Sequence, residues 1–91
     1  MIIPITFVEE VLNAAPGSAR WAEGFDHLRF ICPCSCGKGH YVDLPIKPKC
    51  EDGWVWDGNK EFPTLTPSIL NNTGRGCGWH GHLTKGEFVP C

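Results

Sequence analysis

The chain has 91 residues, 42% of them hydrophobic, and a formal net charge of −2. This length accommodates one small core, so residues 1–91 are expected to form a single domain. The slightly acidic balance argues against the broad basic surface of a nucleic-acid binder, and no apolar run approaches the roughly 20 residues of a membrane-spanning helix. The 11 glycines and 8 prolines favour a turn-rich fold over a helical bundle.

In chain order, the first segment, residues 2–12, is ambiguous between a strand and a short helix. Residues 26–32 alternate apolar and polar side chains, which indicates a half-buried strand. Residues 40–46 are expected to form a second strand. Residues 53–59 form a third, which ends in an Asp-Gly-Asn turn.

The later elements follow the same pattern. Residues 61–74 begin as a proline-stiffened extended segment and are expected to end as a strand at Ser68–Asn71. Residues 79–91 predict a hairpin with Lys85-Gly86 at its turn. The sequence therefore predicts a small all-β domain of antiparallel strands and hairpins with little helix.

Two clusters of cysteine and histidine predict a structural zinc ion that stabilises this domain, in the manner of a zinc ribbon. Zinc takes four thiolate or imidazole ligands, which usually come from two loops distant in sequence. A core of this size supplies only roughly 3–5 kcal/mol, so a stabilising cross-link is expected. The predicted ligands are Cys32, Cys36, Cys77 and His80, with Cys34 and Cys91 as alternates.

The choice among the thiols stays open. Cys32 and Cys36 are favoured because Pro33 and Gly37 stand where a zinc knuckle has its proline and glycine, but Cys34 is a close rival. A disulfide scaffold is the main alternative. It is disfavoured because the start of the chain does not resemble a secretory signal peptide, which places the protein in the cytoplasm, where thiols stay reduced.

The aromatic motif "WVWDGN" allows two interpretations. Trp54 and Trp56 are expected to anchor the small core or to shield the metal, with Asp57 forming the turn. Alternatively, these three residues form an exposed interaction surface for a peptide, a sugar or a base. Binding of nucleic acid through the two tryptophans is the weaker possibility, because the chain is acidic.

The motifs "FICPCSCG", "GWVWDGN", "PTLTPSIL" and "CGWHGHLTKGEF", followed by Cys91, resemble a family of short phage and prophage proteins of unknown function. Some of its members carry the label ammonia monooxygenase. The resemblance covers about residues 17–91 and implies a small zinc-binding β domain in the bacterial cytoplasm, or in the host cell cytoplasm if phage-encoded. The chain departs from the family pattern at Ser35, where a glycine is usual, and at His82.

These observations lead to three functional hypotheses. The first is a non-enzymatic phage accessory protein that contacts a host or phage protein through a zinc-stabilised module. The alternative is a zinc-dependent hydrolase with an open metal position. The third is binding of nucleic acid through Trp54 and Trp56. No Ser-His-Asp order or phosphate loop is recognisable, so the sequence by itself gives no support to a nucleophilic mechanism.

Overall fold

The structure, a computed structural model, describes residues 2–33, 41–47, 49–70 and 78–91. Within these ranges the chain forms two β-sheets and a single 3₁₀ turn, Glu23–Phe25. The predicted all-β fold class is therefore confirmed. Its stabilisation by zinc stays a prediction. No helix in the described ranges is long and apolar enough to cross a membrane.

The larger sheet has five strands, and each of them pairs antiparallel with its neighbours. Their order across the sheet is β1-β9-β8-β7-β6. The strands are β1 (Ile3–Pro4), β6 (Val55–Trp56), β7 (Leu65–Leu70), β8 (His80–Thr84) and β9 (Glu87–Pro90). The hairpin between β8 and β9 turns at Lys85 and Gly86, which have φ angles of 48° and 77°. The predicted hairpin with Lys85-Gly86 at its turn is confirmed, and positive φ at both central residues is typical of a tight two-residue hairpin turn.

The smaller sheet has four strands in the order β2-β3-β4-β5. They are β2 (Thr6–Phe7), β3 (Ser18–Trp21), β4 (His27–Ile31) and β5 (Tyr41–Pro45). β2 and β3 run parallel, whereas the other neighbours run antiparallel. Ile5 lies between β1 and β2, so the chain passes from one sheet to the other there, and its backbone N–H donates to the carbonyl of Gly86 at 2.7 Å.

One hydrophobic core joins the two sheets. The rings of Phe30 on β4 and Phe88 on β9 lie 4.9 Å apart between their centroids, and both side chains are fully buried. The other buried members of the core are Ala19, Leu28, Leu44 and Ile46 near one sheet, and Leu65, Ile69 and Leu83 in the other. Burial of the alternate residues of β8 follows the two-residue period of a strand, so His80, His82 and Thr84 face outward.

Candidate active site

A serine and a histidine from neighbouring strands of the five-stranded sheet form a hydrogen-bonded pair. The Oγ of Ser68 on β7 lies 3.0 Å from the Nε2 of His80 on β8. This separation is within the range in which a histidine can take a proton from a serine hydroxyl. Among the described residues, Ser68 is the hydrogen-bond partner found for the His80 ring.

An irregularity in β7 brings Ser68 to this position. Leu65 pairs with Leu83 and Ile69 pairs with Gly81, so three residues of β7 stand opposite the single residue His82 of β8. Pro67 belongs to this bulge and has no backbone N–H to contribute to a ladder. Bulges redirect side chains and are frequent beside active sites.

The neighbours of His80 fix its outward orientation. Trp79 packs edge-on against Phe88, with ring centroids 6.0 Å apart. A Cβ at Gly81 would lie 2.4 Å from the carbonyl oxygen of Val89, so β8 and β9 approach closely at this residue. The carbonyl of His80 accepts a hydrogen bond from the backbone N–H of Cys91 at 2.9 Å. His80 is thus held by its backbone while its side chain is exposed.

The surroundings of the pair are open and partly apolar. Leu70 is the Cα partner of His80 across the β7–β8 ladder, and its side chain is 53% exposed. Val55 pairs with Thr66 on the other side of β7 and is 52% exposed. Ser68 itself is half-buried, so it is partly accessible from solvent on this sheet.

The predicted interaction residues Trp54, Trp56 and Asp57 make contacts within the protein itself. Trp54 and Trp56 are half-buried, and the Trp56 ring lies 4.5 Å from that of Trp21 between their centroids. The Asp57 carboxylate accepts hydrogen bonds from the backbone N–H groups of Asn59 and Thr64, at 3.0 and 3.3 Å. These are the contacts of core anchors and of a turn former. An additional role as an interaction surface stays a prediction.

The predicted metal ligands lie in different parts of the chain, and several fall outside the described residues. Cys34, Cys36 and Cys77 are among those not described. Cys32 is buried directly after β4, and Cys91 is exposed beside His80. In the described part of the chain no cluster of three or more potential ligands is present. The zinc site stays a prediction, and the His80 side chain, a favoured ligand, contacts Ser68.

The serine–histidine pair was not predicted. The sequence predicts Ser68 as the first residue of a strand, Ser68–Asn71, and His80 as a metal ligand. The sequence contains three serines, and the other two differ from Ser68. Ser18 is buried, with 5% of its surface exposed, and Ser35 is outside the described residues. Only a predicted pairing between the strand at residues 68–71 and the strand at residues 79–82 would have placed a hydroxyl close to His80.

A protein-family model for a bacterial ubiquitination-like system serine protease (BubE) matches residues 7–91. The match covers nearly the whole chain, and the chain therefore belongs to this family. No curated protein sequence and no solved structure matches it.

This membership corrects the functional hypothesis drawn from the sequence. The interpretation as a non-enzymatic phage accessory protein is wrong, because the family is described as a serine protease of a bacterial system. The alternatives of a zinc hydrolase and of a nucleic-acid binder do not correspond to that description either. A missing Ser-His-Asp order does not exclude a serine protease, since catalytic groups on unrelated folds share geometry and not their order in the chain.

Proposed function

We propose that this chain, as a member of the BubE family, is a serine protease in which Ser68 is the nucleophile and His80 is the general base. The observation that carries the proposal is the 3.0 Å contact between Ser68 Oγ and His80 Nε2 on an exposed sheet face. The family description supplies the class of enzyme, and the pair supplies the two residues that such an enzyme needs.

The first half of the reaction forms an ester with the enzyme. Ser68 Oγ attacks the carbonyl carbon of the scissile amide while His80 Nε2 takes the hydroxyl proton. The tetrahedral intermediate then collapses. As the C–N bond breaks, His80 returns the proton to the leaving amine, and the acyl group remains on Ser68.

The second half restores the enzyme. A water molecule gives a proton to His80 Nε2 and attacks the acyl carbon. The bond between that carbon and Ser68 Oγ breaks, and His80 returns the proton to the serine. Each proton taken is given back, so the pair needs no redox partner and no further reactant besides water.

The substrate class follows from the family description and from the open site. A ubiquitination-like system joins a small modifier protein to other molecules, so the proposed substrate is an amide bond at the end of such a modifier. Ser68 is half-buried, and the exposed side chains of Leu70 and Val55 give this part of the sheet an apolar surface for a bound chain. The partner is accordingly a protein of the same bacterial system.

A fluorophosphonate probe tests the nucleophile directly, since it forms a covalent bond with activated serines. We expect purified full-length protein to react with the probe, and peptide mapping by mass spectrometry to locate the adduct on Ser68. Ser68→Ala should abolish labelling because it removes the nucleophile. Ser35→Ala is the matched control and should react like the unmodified protein.

Two results would contradict the proposal. An adduct on Ser35 would assign the nucleophile to a different segment of the chain. Absence of labelling in folded protein, together with no cleavage of a modifier protein from a bacterial ubiquitination-like system, would remove the support for an activated serine. Circular dichroism of each variant establishes that a lost reaction does not reflect unfolding.

A further inference from the structure

Pro67, the residue directly before Ser68, has a carbonyl that is held by a tryptophan side chain. The indole N–H of Trp54 donates to this carbonyl oxygen at 3.1 Å. Trp54 is half-buried and packs against the hydrophobic core. The contact therefore joins a rigid side chain to the bulge that presents the proposed nucleophile.

The backbone of Trp54 is anchored independently of the five-stranded sheet. Its N–H donates to the carbonyl of Pro45 at 2.8 Å, and its own carbonyl accepts from the N–H of Lys47 at 2.9 Å. The preceding residue, Gly53, allows this close approach, since a Cβ there would lie 2.7 Å from the Pro45 carbonyl oxygen. Trp54 thus connects the end of β5 in one sheet with β7 in the other.

Holding the Pro67 carbonyl also orients Ser68. The carbonyl of Pro67 and the N–H of Ser68 belong to one planar peptide unit, so fixing the oxygen restricts the whole plane. The pyrrolidine ring restricts φ of Pro67 as well. On the other side of Ser68, Ile69 and Leu70 pair with β8. The backbone of Ser68 is consequently constrained from both directions.

From these contacts we propose that Trp54 is a positioning residue, which keeps Ser68 within reach of His80 by holding the Pro67 carbonyl. The inference rests on the proposed serine-protease function. Trp54 does not touch the reacting atoms. Its effect is on the fraction of molecules in which Ser68 and His80 are correctly aligned.

Trp56 is a matched comparison within the same segment of the chain. Its indole N–H also donates to a backbone carbonyl, that of Asn59, at 3.0 Å, and its side chain is also half-buried. Asn59 belongs to the turn after β6 and not to the bulge. Trp54→Phe and Trp56→Phe each remove one indole hydrogen bond and leave an aromatic ring, but only the first releases the residue before Ser68.

The experiment compares the two variants with the unmodified protein by the rate of fluorophosphonate labelling and by thermal unfolding. We expect Trp54→Phe to reduce the labelling rate by roughly 10-fold or more, because misplacing a reacting group by about 1 Å can cost up to about 10²-fold. Trp56→Phe should keep a rate within about two-fold of the unmodified protein. The melting temperature of Trp56→Phe should fall at least as much as that of Trp54→Phe, because the smaller ring also packs less closely against Trp21.

A second measurement follows the pair itself. Nitrogen-15 chemical shifts of His80 report its hydrogen bond to Ser68, and we expect them to change in Trp54→Phe and to stay unchanged in Trp56→Phe. Equal labelling rates in the two variants would overturn the positioning role. Absence of labelling in the unmodified protein would instead contradict the proposed function.

If Trp54→Phe does not fold, replacement of Trp54 by benzothienylalanine keeps the ring volume and removes only the N–H donor. The same reduction in labelling rate is then expected at nearly unchanged stability. A labelling rate equal to that of the unmodified protein in this variant would show that the hydrogen bond to Pro67 does not position Ser68.

Discussion

In the part of the chain that the structure describes, a polar side-chain pair joins neighbouring strands in each sheet, and the two pairs arise differently. In the four-stranded sheet Arg29 and Asp43 are direct partners in a regular ladder, and their charged groups approach to 3.8 Å. In the five-stranded sheet Ser68 and His80 are not direct partners, yet their side-chain atoms lie 3.0 Å apart. The shorter contact occurs where the register is disturbed.

The ion pair in the regular ladder and the pair at the bulge suit different roles. An exposed ion pair in a regular ladder contributes little to stability, because water screens the charges and two long side chains must be ordered. A bulge costs ladder hydrogen bonds but places a side chain where regular pairing would not. The Ser68–His80 contact joins a hydroxyl to an imidazole nitrogen, and its geometry suits proton transfer more than stabilisation.

The largest expected effect is the loss of cleavage when His80 of the five-stranded sheet is replaced, compared with replacement of His27 of the four-stranded sheet. His80→Ala should lower the rate of substrate cleavage by roughly 10²–10⁴-fold, because it removes the general base. His27→Ala is the control. His27 lies on β4, and its Nδ1 is 3.3 Å from an Asp26 carboxylate oxygen, so its loss should leave cleavage unchanged. The cleavage rates of both variants are measured by steady-state kinetics at saturating and at limiting substrate. Equal losses would show that the difference between the sheets has no functional meaning.

A measurement of zinc content then tests whether His80 is a metal ligand. The predicted ligand set includes this histidine, whereas its contact with Ser68 already engages Nε2. We expect the protein to contain about one zinc ion per chain, bound mainly by thiolates. His80→Ala should retain this ratio in elemental analysis, and Cys77→Ser should lose the metal and unfold. Loss of zinc from His80→Ala, with unfolding, would show that His80 is a zinc ligand, as the sequence predicts.

A pair of isoleucines tests whether the core next to the bulge is special. Ile69 on β7 and Ile31 on β4 are 2% and 1% exposed. Ile→Val at either position should reduce the free energy of unfolding by about 0.5–1.5 kcal/mol, measured by urea denaturation. Only Ile69→Val should also reduce the turnover number, because Ile69 directly follows Ser68. Equal turnover in the two variants would show that the bulge tolerates changes in its packing.

The smallest expected effect concerns the ion pair of the regular ladder. Asp43→Asn should change the free energy of unfolding by less than about 0.5 kcal/mol, since the Arg29 and Asp43 side chains are 42% and 39% exposed and their contact is as long as 3.8 Å. Cleavage should not change. A loss of several-fold in cleavage would mean that the outer face of the four-stranded sheet takes part in function after all.

Several parts of the fold were predictable from local pattern. The alternation in residues 26–32 predicted β4, and the motif around Lys85 and Gly86 predicted the β8–β9 hairpin. In contrast, no local pattern predicts β3, because Ser18–Trp21 contains little apolar periodicity. This segment becomes a strand through its pairing with β2 and β4, and such pairing is tertiary information.

The sequence by itself determined the β class, the turns at Asp57 and at Lys85-Gly86, and the outward position of alternate residues on β8. These features depend on neighbours in the chain, through φ preferences, side-chain hydrogen bonds and the two-residue period of a strand. Only the tertiary structure decided that Ser68 meets His80. The two residues are 12 positions apart, and their contact depends on the register of two strands and on a bulge within one of them. A shift of one residue in that register would turn the serine toward the other face, so no local pattern could specify the pair.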